Sequence, residues 1–223
     1  MIPKINLLVI DDHPIVVRGY KTVLENFKNS YLEVDEAHNI DDALFLLNNE
    51  SSVRPYDVII LDIRLPPSKK YPSLISGEDL GRKIKKTHKA TKIIVITALN
   101  DNYRISCLLK YLDPDGLLIK CDLSEEVLHN AVTAVVQGNT YYSRQVSKLI
   151  RKRNTTDIYL DDMDRRILFL LSNGEKTKDM PNLLPLSLAS IQRKKKRLKM
   201  CFEVDGSGGN RELLLKAKEM GFI

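Results

Sequence analysis

Between Ile5 and Gln137 the chain alternates short β-branched runs with segments of helical period. That alternation leaves few folds open: a parallel sheet covered by helices on both faces. The expected strands are INLLVI (5–10), YLEVDEA (31–37), DVIIL (57–61), KIIVI (92–96) and GLLI (116–119). Most are apolar almost throughout, as strands buried on both faces are. Helices are expected between and after them, over 14–28, 41–49, 78–86, 102–110 and 125–137. Pro14 suits a first helical turn, where its missing N–H costs nothing. Val127, Leu128, Ala131, Val132 and Val135 recur at helical spacing and mark a core face. The expected class is a doubly wound, five-stranded parallel α/β sheet.

The pattern then changes. Residues 138–159 carry much charge and no strand, and read as a linker with partial helix, because Val146, Leu149 and Ile150 stand three and four apart. From 160 onward everything reads as helical, with helices near 161–171, 178–184, 188–200 and 211–220, and breaks at Gly174 and at the DGSGG stretch, 205–209. Two domains are therefore expected, 1–137 and 160–223, the second a smaller all-α unit. A chain of 223 residues with 43% hydrophobic content can fill two cores.

Charge separates the halves. Residues 1–143 hold 17 Lys/Arg against 19 Asp/Glu, whereas residues 144–223 hold 18 against 10. A polyanion partner is thus expected for the second part only. Cys107, Cys121 and Cys201 are odd in number and far apart, which fits neither a disulfide framework nor a zinc cluster, so reduced thiols are expected. No apolar run approaches the roughly 20 residues of a membrane span, and Asp11 interrupts the first run before it can act as a leader. A cytoplasmic protein with no membrane partner is the expectation.

The strand ends carry the chemistry. In a doubly wound sheet, sites form beyond the carboxyl ends of the strands. Asp11 and Asp12 end the first strand, Asp62 the third, Thr97 the fourth and Lys120 the fifth, so all five gather at one edge. One Asp after a strand often only caps a helix; five such residues at successive ends are a more specific signal. Clustered carboxylates repel, and a divalent cation resolves the conflict. Carboxylates, a backbone carbonyl and waters suit Mg²⁺ beside a phosphate. Lys120 supplies a point charge for phosphoryl oxygens and Thr97 a hydroxyl donor. Asp62 is then a carboxylate nucleophile able to form an acyl phosphate.

Residues 1–137 resemble the receiver domain of a bacterial two-component response regulator, a flavodoxin-like fold, through IDDHP, VIILDIRLP with Asp62, VITA with Thr97 and Ala98, and GLLIK with Lys120. The resemblance implies that Asp62 accepts a phosphoryl group from a phosphohistidine of a sensor histidine kinase. It also implies that Asp11, Asp12, Asp62 and the carbonyl of Arg64 hold the metal, and that Thr97, Ala98 and Lys120 bind the phosphoryl group and switch. Two departures stand out. Receivers usually carry an aromatic residue three positions before the lysine, where this chain has Leu117, which offers neither ring nor hydroxyl. The segment PPSKKYPSLISG, 66–77, is longer than usual, and is either a tolerated surface insertion or a contributor to kinase choice or gating.

In the basic part, SLASIQRKKKRLKM (187–200) is amphipathic. With Ile191 at zero and about 100° per residue, Leu198 and Leu188 define the buried side, while Gln192, Arg193, Lys196 and Arg197 fall between about 100° and 240°. Six Lys/Arg among the seven residues 193–199 is dense for a merely solvated face, because such repulsion destabilises a helix unless an anion relieves it. Residues 160–223 resemble the LuxR-type output domain, a four-helix module with a central helix-turn-helix, through LDDMDRRILFLLSNG, IQRKKKRLK and NRELLLKAKEMGFI. The likeness implies that Gln192, Arg193 and Lys196 face the major groove of double-stranded DNA, and that Lys178, Ser187, Ser190, Lys194 and Arg197 touch phosphates. Pro181 falls inside the expected second helix, which should therefore start late or be distorted.

The leading expectation is a transcription regulator that is phosphorylated on Asp62 with Mg²⁺ and binds DNA as a homodimer, with no enzymatic role beyond its own phosphoryl transfer. Two alternatives stay open: a DNA-binding regulator whose receiver serves only as a dimerisation module, favoured by Leu117, and an aspartyl-phosphate phosphotransfer enzyme.

Overall fold

The computed structural model describes residues 4–25, 31–48, 55–98, 102–151, 160–204, 209–219 and 222. The chain forms two compact units, Met1–Arg153 and Asn154–Ile223.

In the first unit, strands β1 (Lys4–Ile10), β2 (Tyr31–Ala37), β3 (Val58–Leu61), β4 (Lys92–Thr97) and β5 (Gly116–Ile119) pair in parallel, with a sixth, β6 (Tyr141–Tyr142), beyond β5. The order is β2-β1-β3-β4-β5-β6, so the strand order reverses between β1 and β3. The expected α/β class holds, with one strand more than the five anticipated. Helices α1 (Pro14–Glu25), α2 (Ile40–Leu47), α3 (Gly77–Thr87), α4 (Asn102–Cys107) and α5 (Glu125–Val136) fall between and after them. Positions 26–28 and 49, expected to end the first two helices, lie outside the described residues. The α4 segment continues into a π-helical turn, Leu108–Leu112, closed by Asp113 at φ 48°.

Period-two alternation sorts each strand between two cores. Leu8, Ile10, Ile59, Leu61, Ile93, Val95, Leu117 and Ile119 pack with residues of α2, α3 and α4. Leu7, Val9, Val58, Ile60, Ile94, Ile96 and Leu118 pack with α1 and α5 on the other face. A buried ion pair, Glu78 to Arg104 at 2.6 Å, joins α3 to α4.

The expected linker is only partly one. Gly138, at φ 83°, turns the chain just after α5; residues 141–142 then form β6 and Arg144–Arg151 form α6, both within the first unit. Val146, picked out by its helical spacing, is fully buried in the same core as Leu117, and Leu149 and Ile150 pack against that core. The long 66–77 segment is pinned rather than loose. Asp41 accepts from the Ser68 hydroxyl (2.5 Å) and the Lys69 amide (2.9 Å), and Leu65 and Leu74 are buried. The Ser68 hydrogen bond, with those of the following amides, holds the half-buried Asp41 carboxyl below its ordinary pKa.

Gly77 opens α3 where a Cβ would stand 2.0 Å from the Asp62 carbonyl oxygen, a backbone atom that cannot step aside cheaply. Gly77→Ala is expected to cost about 1–3 kcal/mol, as overpacking does. Gly19→Ala, in open space on α1, should be neutral or stabilise by up to about 1 kcal/mol. Urea titrations of both variants check the contrast; equal midpoints would remove the claim that α3 packs on the backbone of residue 62.

The second unit holds α7 (Asp162–Ser172), α8 (Leu188–Cys201) and α9 (Asn210–Glu219) around Ile167, Leu168, Leu171, Met180, Ile191, Leu198, Phe202 and Leu213. Asp161 and Asp164 form a reciprocal capping box on α7, and Ser187 caps α8. Gly174, at φ 84°, ends α7 as expected. The helix expected over 178–184 is corrected to a single 3-10 turn, Met180–Asn182. Pro181 has no N–H to donate and its ring opposes a preceding helical carbonyl, so no α-helix forms there. Most of the DGSGG stretch, 205–208, lies outside the described residues. None of the three cysteines forms a disulfide; Cys107 is buried and Cys121 exposed.

Candidate functional site

Backbone pairing sets the site. The Asp11 amide donates to Ala37 (3.2 Å) and the Asp62 amide to Ile10 (2.9 Å), so the ladder runs one residue past β1 and carries both aspartates to the point where the strand order reverses. Both are buried, at 1% and 4% exposure. Lys120, immediately after β5 in a 3-10 turn (Lys120–Asp122), reaches back to join them. Its Nζ donates to Asp11 Oδ2 at 2.8 Å and to Asp62 Oδ2 at 2.6 Å. Thr97 is fully buried at the end of β4, in register with Ile119, and Ala98 follows it, exposed.

The second oxygens are held as well. Asp62 Oδ1 accepts from the Arg64 amide at 3.0 Å, and Asp11 Oδ1 from the His13 amide at 3.0 Å. His13 Nδ1 stands 3.1 Å from Asp11 Oδ1 and 2.9 Å from Asp12 Oδ1. Ligand atoms of Asp11, Asp12 and His13 lie within 4.8 Å of one another. Of the residues expected at this edge, the contacts join Asp11 to Asp62 through Lys120, and Asp11 to Asp12 through His13.

Burial draws the Lys120 pKa down, but the hydrogen bonds and charges of Asp11 and Asp62 outweigh it and leave the ammonium above its ordinary value. Lys120 is therefore a fixed positive charge at neutral pH. Tyr20, packed on α1 beneath the site, is pushed up to about 12, first by burial, with Asp11 and Asp62 adding and Lys120 opposing.

One cation against three carboxylates leaves negative charge uncompensated. Asp12 Oδ1 is cut off from water without a hydrogen-bond partner of good geometry. A buried carboxylate oxygen left this way, in a cluster dominated by acidic oxygens with the His13 imidazole at its edge, fits a hard divalent cation such as Mg²⁺. The ligands expected from the sequence are Asp11, Asp12, Asp62 and the Arg64 carbonyl, and the ligand atoms that lie together here are those of Asp11, Asp12 and His13.

Sequence reasoning missed His13 and Tyr20 as parts of the site. His13 was visible only as a letter within IDDHP, and Tyr20 only as one of the buried stripe Val17, Tyr20, Leu24. Leu117 lies fully buried in β5, with Tyr142 opposite it in register.

On α8 the cationic side divides into two rows. Gln192, Arg193 and Lys196 are exposed, as are Lys178 and Ser187, while Ser190 is half-buried and its Oγ lies 3.3 Å from Arg193 Nη2. Lys194 and Arg197 turn inward instead. Lys194 Nζ lies 2.5 Å from Asp161 and 3.2 Å from the fully buried Asp164, and Arg197 also pairs with Asp164. Lys195 Nζ donates to the Thr177 hydroxyl at 2.6 Å; burial, then the charge of Lys199, lowers its pKa.

The chain is similar to known proteins along most of its length. The transcriptional regulatory protein RcsB of Escherichia coli (strain K12) is 28% identical over 205 residues, covering 91% of this chain and 90% of its own. A solved Salmonella typhimurium RcsB response regulator superposes with a TM-score of 0.66 at 25% identity, over 97% of this chain and 98% of that one. RcsB in a two-component response regulator–DNA complex gives 0.60 at 25% identity, over the same shares. The model of the response regulator receiver domain matches residues 7–133. That span holds Asp11, Asp12, Asp62, Thr97 and Lys120, and by it the chain belongs to the response regulator receiver family.

Proposed function

We propose that the chain is a transcription regulator whose DNA binding is controlled by phosphorylation of Asp62. The observation that carries the reading is Lys120 Nζ bonded at once to Asp11 and Asp62, which leaves a buried carboxylate set beside a permanent cation. The donor is a phosphohistidine of a sensor histidine kinase. An Asp62 oxygen attacks phosphorus, the O–P bond forms as the N–P bond breaks, and the histidine nitrogen leaves with the electron pair. Lys120 transfers its hydrogen bonds to the phosphoryl oxygens, and the Thr97 hydroxyl donates to another. Asp11, Asp12, Asp62 and the Arg64 carbonyl would hold Mg²⁺, which when bound would supply positive charge against the phosphoryl oxygens.

The receiver role belongs to 1–137, with 138–151 packed onto it, and the output role to 160–223. Relatives named as transcriptional regulators, and RcsB solved on DNA, support the output reading. Gln192, Arg193 and Lys196 form the exposed row that reads base edges, with Lys178, Ser187 and Ser190 at phosphates. Lys194 and Arg197 brace α8 on α7 and shape that surface from behind. The active form is a homodimer, since one short helix reads too few base pairs. No helix among the described residues is long and apolar enough to cross a membrane, and a regulator of this kind works in the cytoplasm.

A second reading, DNA binding independent of phosphate, is favoured by Leu117, which fills its place in β5 without a ring or hydroxyl to swing. One titration separates the two. DNA affinity and oligomeric state are measured with and without beryllofluoride plus Mg²⁺; equal values in both states select the second reading. In the same assay Arg193→Ala is expected to weaken binding by about 1–3 kcal/mol and relax preference at one base pair. Affinity that ignores salt would contradict a basic recognition face.

A further inference from the structure

We infer that Asp122 is a coupling latch that ties the phosphate-sensing lysine to helix α6. It rests on the receiver reading. The 3-10 turn Lys120–Asp122 begins with the lysine that holds Asp11 and Asp62 and ends with a carboxylate turned away from that site. Asp122 Oδ2 accepts from the Ser143 hydroxyl at 2.7 Å and from the Gln145 amide at 2.7 Å. Gln145 lies in the first turn of α6, where backbone N–H groups lack helical partners and a negative charge is favoured. Asp122 thus caps a helix that begins more than twenty residues downstream.

Ser143 completes the joint. Nearly fully buried, it donates its amide to Leu117 (3.0 Å) and accepts from the Ile119 amide (3.3 Å), so α6 starts from the edge of β5 itself. Helix α6 packs against both β5 and α4. Thr97 feeds α4 along the chain, and Lys120 follows β5. Both phosphate-binding side chains therefore lead through one element each to the same helix, and α6 is the last described element before the second unit.

A phosphoryl group on Asp62 places its oxygens beyond the carboxylate that Lys120 now grips, so Lys120 must move to follow them. The turn is only three residues long, and the two hydrogen bonds on Asp122 tolerate displacements of a few tenths of an ångström before weakening. Repositioning Lys120 thus releases the α6 cap and loosens the last described helix of the first unit.

The test is hydrogen exchange of the full chain, read on peptides from α6, with ¹⁹F resonances reporting bound beryllofluoride. In the wild type, beryllofluoride with Mg²⁺ is expected to raise α6 exchange on the order of ten-fold, the scale of one lost capping interaction. Asp122→Ala should show that rise already at rest and respond less than about two-fold further. Asp122→Asn keeps an acceptor for the Gln145 amide and should fall between, and Ser143→Ala should follow Asp122→Ala. Unchanged protection of β1 and β3 peptides shows that each variant is folded. The latch is overturned if bound beryllofluoride leaves wild-type α6 exchange unmoved, or if Asp122→Ala and Ser143→Ala both keep the full response. A missing ¹⁹F signal overturns the receiver reading instead, and the latch with it.

Discussion

Asp62→Asn is expected to take up no phosphoryl group from a small phosphodonor, its labelling falling on the order of 10³-fold or more. The amide oxygen can still accept from the Arg64 backbone, so the local geometry survives while the nucleophilic charge is lost. Lys120 keeps Asp11 as partner. Removing one of three crowded carboxylates also relieves repulsion, so the variant should fold as well as the parent. Labelling in the presence of Mg²⁺, followed by a denaturing gel, gives the rate, and chelating the metal should bring the wild type down toward the variant. Undiminished incorporation would reject Asp62 as acceptor.

The second large effect belongs to the other unit. Asp164 is fully buried, holds Lys194 and Arg197, and accepts the Asp161 amide in the α7 capping box. Asp164→Ala removes the buried anion that both cations share, leaving them Asp161 alone, and breaks the cap as well. The lost cap and two weakened, partly exposed ion pairs together cost about 2–4 kcal/mol. The second unit is expected to lose that much stability, seen as a shifted denaturant transition, and specific DNA binding should fail with it. Gln192→Ala, on the exposed row, should change stability by less than about 0.5 kcal/mol. Comparable midpoints for the two variants would show that the acidic pair on α7 does not fasten α8.

What could be read in advance follows the strength of the periodic signals. LLVI and VIIL announced themselves because both faces of β1 and β3 are buried, and their length fixed where Asp11 and Asp62 emerge. Thr97 and Lys120 were legible for the same reason. Strand β6 was not: two tyrosines carry no alternation, and they pair only because the edge of β5 is there to receive them. The π-helical turn after Cys107 leaves no trace in hydrophobic spacing, which tolerates one residue of slack. On the helical wheel Lys194 and Arg197 border the same cationic arc as Arg193 and Lys196. Only Asp161 and Asp164, some thirty residues earlier, decide which cations turn inward. Pro181 is legible as disruptive, yet how little helix remains depends on Met180 and Leu184 anchoring the turn in the core.

The short β6 has a further effect on how copies of the protein can meet. It closes one margin of the sheet with residues from the same chain, and at the opposite margin β2 presents Glu33, Asp35 and Glu36 to solvent. An incoming strand from another molecule would find one border occupied and the other guarded by like charges. Backbone zippering between copies is thereby disfavoured at both margins of the sheet.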